Sequence, residues 1–103
     1  MAGKAKIYAV LSGDLVRSSK LSVEQSRGAI QQLKRAVAEF EKNFQGAIQG
    51  ELDSFRHDSW QLLMKRPELA IRATVFLRAS IKMQSDATTR YDTRIGIGIG
   101  TAK

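Results

Sequence analysis

The spacing of apolar residues switches between a period of two and a period of 3.6 in one order along the chain. That order limits the fold more than any other feature. In Lys6 to Ser12, Ile7, Ala9 and Leu11 fall on one side and Tyr8, Val10 and Ser12 on the other. Both sides are mostly apolar, which predicts a central strand, with Gly13-Asp14 as its exit and Asp14 sharing the parity of Tyr8 and Val10. A helix of about six turns is expected from Ser22, where Ser22 and Gln25 fit a capping box and Ile30, Leu33, Val37, Phe40 and Phe44 form one stripe. Gly46 ends it. Ala47 to Asp53 and Asp58 to Lys65 read as two strands, with Ser54-Phe55-Arg56-His57 near the turn between them. Pro67 opens a second helix, whose expected buried face is Leu69, Ala73, Phe76, Leu77, Ser80 and Met83. A polar loop, Gln84 to Asp92, leads to a last strand, Arg94 to Thr101.

Strand, helix, strand, strand, helix, strand is stable as two layers, a single sheet with both connecting helices on one face. The expected fold class is therefore α+β, a ferredoxin-like βαββαβ sandwich with a four-stranded antiparallel sheet. The 103 residues suit one domain, 1–103. There is no cysteine, so disulfides and thiolate metal sites are excluded. No apolar run approaches the ~20 residues needed to span a bilayer, and the stretch after Met1-Ala2-Gly3-Lys4-Ala5-Lys6 is a strand rather than a signal peptide. A cytoplasmic protein without a membrane partner is expected. The net charge of +7 permits nucleotide, nucleic-acid or acidic-surface partners. The bases are scattered, however, with no aromatic residues interleaved as in a stacking platform.

A two-layer sandwich leaves one sheet face open. If Ile95, Ile97 and Ile99 point at the helices, Gly96, Gly98 and Gly100 line the open face. The third strand is expected to add Asp58, Trp60, Leu62 and Met64 there. With Tyr8 and Val10 this makes a flat apolar surface suited to a homodimer mate or another partner protein. A row of three strand glycines points to close approach by a ring, ligand or backbone.

Asp14 closes the first strand and Asp58 opens the third. In this topology those strands are antiparallel neighbours, so the two aspartates belong to the same rim. Magnesium is commonly held by one or two carboxylates together with substrate phosphates. The competing reading is that each aspartate is an ordinary turn residue. His57, the only histidine, has no accompanying ligand cluster. The Gly96–Gly100 repeat lacks both the spacing and the following helix of a dinucleotide fingerprint.

Three segments together resemble class III nucleotidyl cyclases, and more closely SatD-like proteins. Tyr8-Ala9-Val10-Leu11-Ser12-Gly13-Asp14-Leu15-Val16 is similar to their opening strand. Arg56-His57-Asp58-Ser59-Trp60-Gln61-Leu62-Leu63 resembles their hairpin carrying a second aspartate. Arg94-Ile95-Gly96-Ile97-Gly98-Ile99-Gly100 resembles a later cyclase strand. The resemblance implies metal binding, by magnesium or manganese, at Asp14 and Asp58 only. His57 stands where the family has glycine, and Trp60 where it has phenylalanine. The family also draws an asparagine and an arginine from chain beyond this last strand, for which these residues offer no substitute. A magnesium- and nucleotide-binding domain, catalytically incomplete and regulatory, is the implied function, with a nucleoside triphosphate as ligand. Two alternatives remain at this point. One is a homodimeric interaction module using the open face. The less favoured is a nucleic-acid-binding domain, in which Tyr8 and Trp60 would be exposed aromatics on the central strands.

Overall fold

The computed structural model describes residues 6–102. The lead-in before the first strand, residues 1–5, and Lys103 lie outside the described residues. The elements are β1 (Lys6–Leu15), α1 (Val23–Asn43), β2 (Ile48–Phe55), β3 (Ser59–Met64), α2 (Ala70–Lys82) and β4 (Thr93–Ala102), with short 3-10 turns at Ser18–Lys20 and Pro67–Leu69. They form one four-stranded sheet in the order β2-β3-β1-β4, with all three pairings antiparallel. This is the expected ferredoxin-like α+β arrangement. Among the described residues no helix is long and apolar enough to cross a membrane.

Local chemistry sets the helix ends. At the start of α1 the Ser22 side chain accepts the Gln25 N–H at 3.0 Å, and Gln25 Oε1 accepts the Ser22 N–H at 2.9 Å. Each side chain thereby satisfies a backbone donor that the first helical turn leaves free. Beyond the far end, Gly46 takes a positive φ of 81°, open to glycine at little steric cost. Glu41 then joins helix to sheet by accepting the N–H groups of Gly46 and Ile48. Those two donors hold its carboxyl below the ordinary value.

One continuous core lies between the helices and one sheet face. Ala29, Ile30, Leu33, Ala36, Val37 and Phe40 of α1 and Ala70, Ala73, Leu77 and Ile81 of α2 pack with Ala9 and Leu11 of β1. The α2 face is turned slightly from the one expected. Phe76 and Met83 are exposed, whereas Ala70 and Ile81 are buried.

Trp60, Leu62 and Met64 also belong to this core, between 0 and 1% exposed, and not to the open face where they were expected. The β1–β3 register shows why. Gly13 stands opposite Trp60, Leu11 opposite Leu62 and Ala9 opposite Met64. Directly paired residues of antiparallel strands project from the same face. Placing Trp60, Leu62 and Met64 beside Asp14 would have put Ser59, Gln61 and Leu63 under the helices instead. Burying a large apolar side chain is worth about 1.5–3 kcal/mol, so the three outweigh any local preference of Asp58. The open face consequently carries half-buried Tyr8, Val10 and Leu63, polar Ser12 and Gln61, and Gly96, Gly98 and Gly100.

A second difference lies at the end of β1, which runs on to Leu15. Gly13 and Asp14 are strand residues rather than an exit, held between β3 and β4 on both sides.

Candidate functional site at the end of the central strand

Gly13 is buried, and the reason is Trp60. A β-carbon built on Gly13 would collide with the Cε2, Cζ2 and Nε1 atoms of the indole. Glycine here lets the ring lie flat across the strand, the close approach that glycine in a strand marks. The indole N–H donates to Thr93 Oγ1 at 3.0 Å, and that hydroxyl donates to the Asp14 carbonyl at 2.9 Å. Thr93 is 1% exposed, so these bonds form out of water, where leaving a partner unmet is costly. Trp60, Thr93 and the Asp14 backbone form one braced unit directly beneath the Asp14 side chain.

The Asp14 carboxylate projects from the opposite, open face and is exposed. Its neighbours across the two pairings are Ser59 on β3 and Arg94 on β4. The Ser59 hydroxyl donates to Asp14 Oδ1 at 2.8 Å. Among the described residues the salt bridges are Arg66–Glu68 and Arg78–Asp92, so no cationic group lies within ion-pair distance of Asp14.

Asp58 reaches the same end of the sheet but in a different setting. The residue opposite Asp14 is Ser59, and Asp58 is one place further, where its carbonyl accepts the Leu15 N–H at 2.7 Å. Asp58 is half-buried and sits in the turn before β3 begins. Strand alternation therefore does not set the direction of its side chain. Arg56 and His57 in the same turn have positive φ values of 53° and 70°. Such values are uncommon for non-glycine residues and mark a tightly wound hairpin. The backbones carrying the two aspartates thus meet at one rim of the sheet, Asp14 within β1 and Asp58 in the turn that leads into its antiparallel neighbour β3.

After β1, Arg17 also adopts a left-handed conformation, with φ 55°. Two shallow depressions flank this loop. One is lined by Val16, Arg17, Lys82, Ser85, Arg90, Tyr91 and Asp92. The other is lined by Arg17, Lys20, Leu21, Gln25, Thr88, Thr89 and Arg90. Asp92 is engaged by Arg78 through two hydrogen bonds, 2.9 and 3.0 Å, which hold its carboxyl below the ordinary value. That leaves Arg17, Lys20, Lys82 and Arg90 as the cationic side chains lining the two depressions, neither of which includes Asp14.

Among the described residues no group of three or more His, Cys, Asp or Glu could enclose a metal. The available donors are carboxylate, hydroxyl and carbonyl oxygens. They suit a hard cation of the magnesium type, which retains waters and takes oxygens from a phosphate. They do not suit zinc, whose structural sites use nitrogen and sulfur.

Sequence reading singled out Asp14 and Asp58, but not Ser59 and Thr93, whose hydroxyls bond the Asp14 carboxylate and carbonyl, nor Arg94, the register partner of Asp14 on β4. The available signal was Gly13, a glycine inside an apolar strand, which calls for a large partner directly opposite.

No protein-family model and no curated protein matches this chain. Among solved structures it is similar to the crystal structure of the guanylyl cyclase Cya2, with a TM-score of 0.64 and 17% identity. The match covers 98% of this chain and 57% of that one, so the chain spans little more than half the length of its structural relative. At this identity the likeness is one of fold: the βαββαβ domain of this chain is similar in architecture to part of that guanylyl cyclase.

Proposed function

We propose that this is a nucleotidyl cyclase-like domain that binds a nucleoside triphosphate together with magnesium or manganese at Asp14 and Asp58. The observation that carries the reading is that the backbones of Asp14, in β1, and Asp58, in the turn before β3, meet at one rim of the sheet within a cyclase-like fold. Asp14 is the better-organised ligand, its backbone braced by Thr93 and one carboxylate oxygen oriented by Ser59. Asp58 supplies the second carboxylate from the hairpin. Arg17, Lys20, Lys82 and Arg90, which line the depressions about the loop that follows β1, are the positive charge the domain would offer a triphosphate. A bound cation would offset phosphate charge and fix the triphosphate's orientation. The proposal covers binding and a regulatory use of it, and does not include turnover.

The test is thermal stability with Mg²⁺ or Mn²⁺ and each of the four common nucleoside triphosphates. A ligand at ~100 times its Kd stabilises by about 2.7 kcal/mol, well within reach of a melting curve. The upward shift is expected to need both cation and nucleotide, and to vanish in Asp14→Asn with Asp58→Asn. Absence of a shift with all four nucleotides overturns the reading.

A second reading keeps the open sheet face as a docking surface for a partner protein. Half-buried Tyr8, Val10 and Leu63 lie there beside Gly98 and Gly100, above which there is open space. Burial of Trp60, Leu62 and Met64 makes this surface smaller than expected. It also removes Trp60 from the exposed-aromatic pattern that the nucleic-acid reading required.

A further inference from the structure

The two helices lie side by side on the sheet and run in opposite directions. Gln32 donates to the Ser80 hydroxyl at 3.0 Å, and the Phe40 and Phe76 rings lie 5.9 Å apart. The Arg72 guanidinium sits 5.4 Å from the centre of the Phe44 ring. Contacts thus advance along α1 as they retreat along α2. In a two-layer fold the outer crests of such a pair share one plane, turned away from the sheet.

α2 is apolar on both sides. Its buried face is Ala70, Ala73, Leu77 and Ile81. At about 100° per residue, Val75 and Ala79 stand opposite that face, with Phe76 and Met83 turned from the crest toward α1. Val75 is 63%, Phe76 36% and Met83 82% exposed. A surface helix ordinarily presents polar side chains at these positions. Ile71 belongs to the other flank, which Arg78 ties to Asp92 before β4, and takes no part.

Bases are interleaved with these side chains. α2 carries Arg72, Arg78 and Lys82 and no acidic residue. Beside it the exposed side of α1 carries Arg27, Arg35 and Lys42 against Glu24 and Glu39. The remaining acid of α1, Glu41, is turned to β2, where it accepts the Gly46 and Ile48 N–H groups. Among the described residues the salt bridges are Arg66–Glu68 and Arg78–Asp92, so of these bases Arg78 alone is paired within the protein. The outward side of the helix layer is therefore net positive.

We propose that the outer side of the α1–α2 layer is a contact surface for an anionic lipid bilayer. The domain lies on it with Val75, Phe76 and Met83 in the interface and Arg35, Lys42 and Arg72 at the headgroups. Apolar side chains set among bases are the pattern of helices that rest on a membrane, where binding scales with buried apolar area and with attraction to anionic lipid. A nucleic acid would engage the bases through its phosphates and leave the apolar side chains without a partner. The shared plane of the two crests suits an extended flat surface. Such a contact needs no spanning helix, and among the described residues none is long and apolar enough to cross a membrane. Neither Asp14 nor Asp58 takes part, so lipid binding and nucleotide binding succeed or fail separately.

Flotation with vesicles of equal parts phosphatidylglycerol and phosphatidylcholine, against phosphatidylcholine alone, tests the proposal. Binding to the anionic vesicles is expected to be at least about tenfold tighter than to the neutral ones. Val75→Ser with Met83→Ser keeps the charge and alters exposed positions only, and should weaken it at least about tenfold. Arg72→Glu should weaken it comparably. Gln61→Glu adds one negative charge on the open face, away from the helices, and should leave binding within about twofold. The unaltered protein gives an answer that depends on no variant: nitroxide-labelled lipid should broaden the methyl signals of Val75 and Met83 before those of Val10 and Leu63. No binding to anionic vesicles, equal binding to neutral ones, or a serine double variant that binds like the parent each overturns the proposal. So does a Gln61→Glu as damaging as Arg72→Glu, or broadening centred on Val10 and Leu63. RNA or polyglutamate that binds this face more tightly than the vesicles assigns it to another partner and overturns the proposal as well.

Discussion

Replacing Gly13 with alanine inserts a methyl group where the Trp60 indole already lies, and the resulting stability change is calculable. The added carbon would overlap Cε2, Cζ2 and Nε1 of a side chain that is 1% exposed and held by Thr93. Overpacking a filled core costs typically about 1–3 kcal/mol. Alanine returns roughly 0.5–1 kcal/mol because glycine loses more chain entropy on folding. The net expected loss for Gly13→Ala is about 0–2.5 kcal/mol, and each kcal/mol corresponds to ~4–8 °C in melting temperature for a domain near this size. Trp60→Phe alone forfeits the bond to Thr93, about 0.5–1.5 kcal/mol, and leaves space above Gly13. Combining the two lets the new methyl occupy part of that space. The double variant should therefore be more stable than the summed single losses by at least about 1 kcal/mol, the coupling expected of residues in contact. Urea unfolding of the four proteins supplies the cycle. Strict additivity would show that Trp60 does not lie across Gly13, and the bracing of Asp14 would lose its basis.

Thr93→Val removes the acceptor of a buried indole N–H and the donor to the Asp14 carbonyl, and should cost about 1–3 kcal/mol in the same assay. It should also weaken the cation-dependent stabilisation, a change that Thr93→Ser, which keeps the hydroxyl, should largely spare. Trp60→Glu should leave the chain unfolded by circular dichroism rather than merely change its association, because Trp60 is core. Asp92, Asp86 and Glu41 have carboxyl values lowered chiefly by hydrogen bonds from Arg78, the Thr89 N–H and the Gly46 N–H respectively. Lowered groups stabilise the folded chain above their unfolded values, near 3.8 for Asp and 4.5 for Glu, and lose that contribution as pH falls through the folded values. Melting temperature should accordingly be insensitive to these groups above about pH 5 and fall in acid below about pH 4, less steeply for Asp92→Asn.

Periodicity carried the fold because each period had a single compatible element. The α1 stripe and its Ser22–Gln25 cap, the strand alternation and the turn at Gly46 all reappear in the structure. The face of β3 was misread because Asp58 was expected to share a face with Asp14, and that local inference overrode the bulk of Trp60, Leu62 and Met64. Apolar volume was the stronger signal. The surroundings of Asp14 were not legible for another reason: Ser59 and Thr93 reach it from separate strands, and only the register brings residues 45 and 79 positions away against it.

The central claim is that a divalent cation sits with a nucleotide between Asp14 and Asp58. Paramagnetic broadening by Mn²⁺ locates such an ion directly in an amide correlation spectrum recorded with a nucleoside triphosphate. The account predicts early, saturable loss of the signals of Asp14, Leu15, Asp58 and Ser59, abolished by Asp14→Asn. Broadening centred on Glu51 and Asp53, or spread over the acidic surface without saturation, would contradict it.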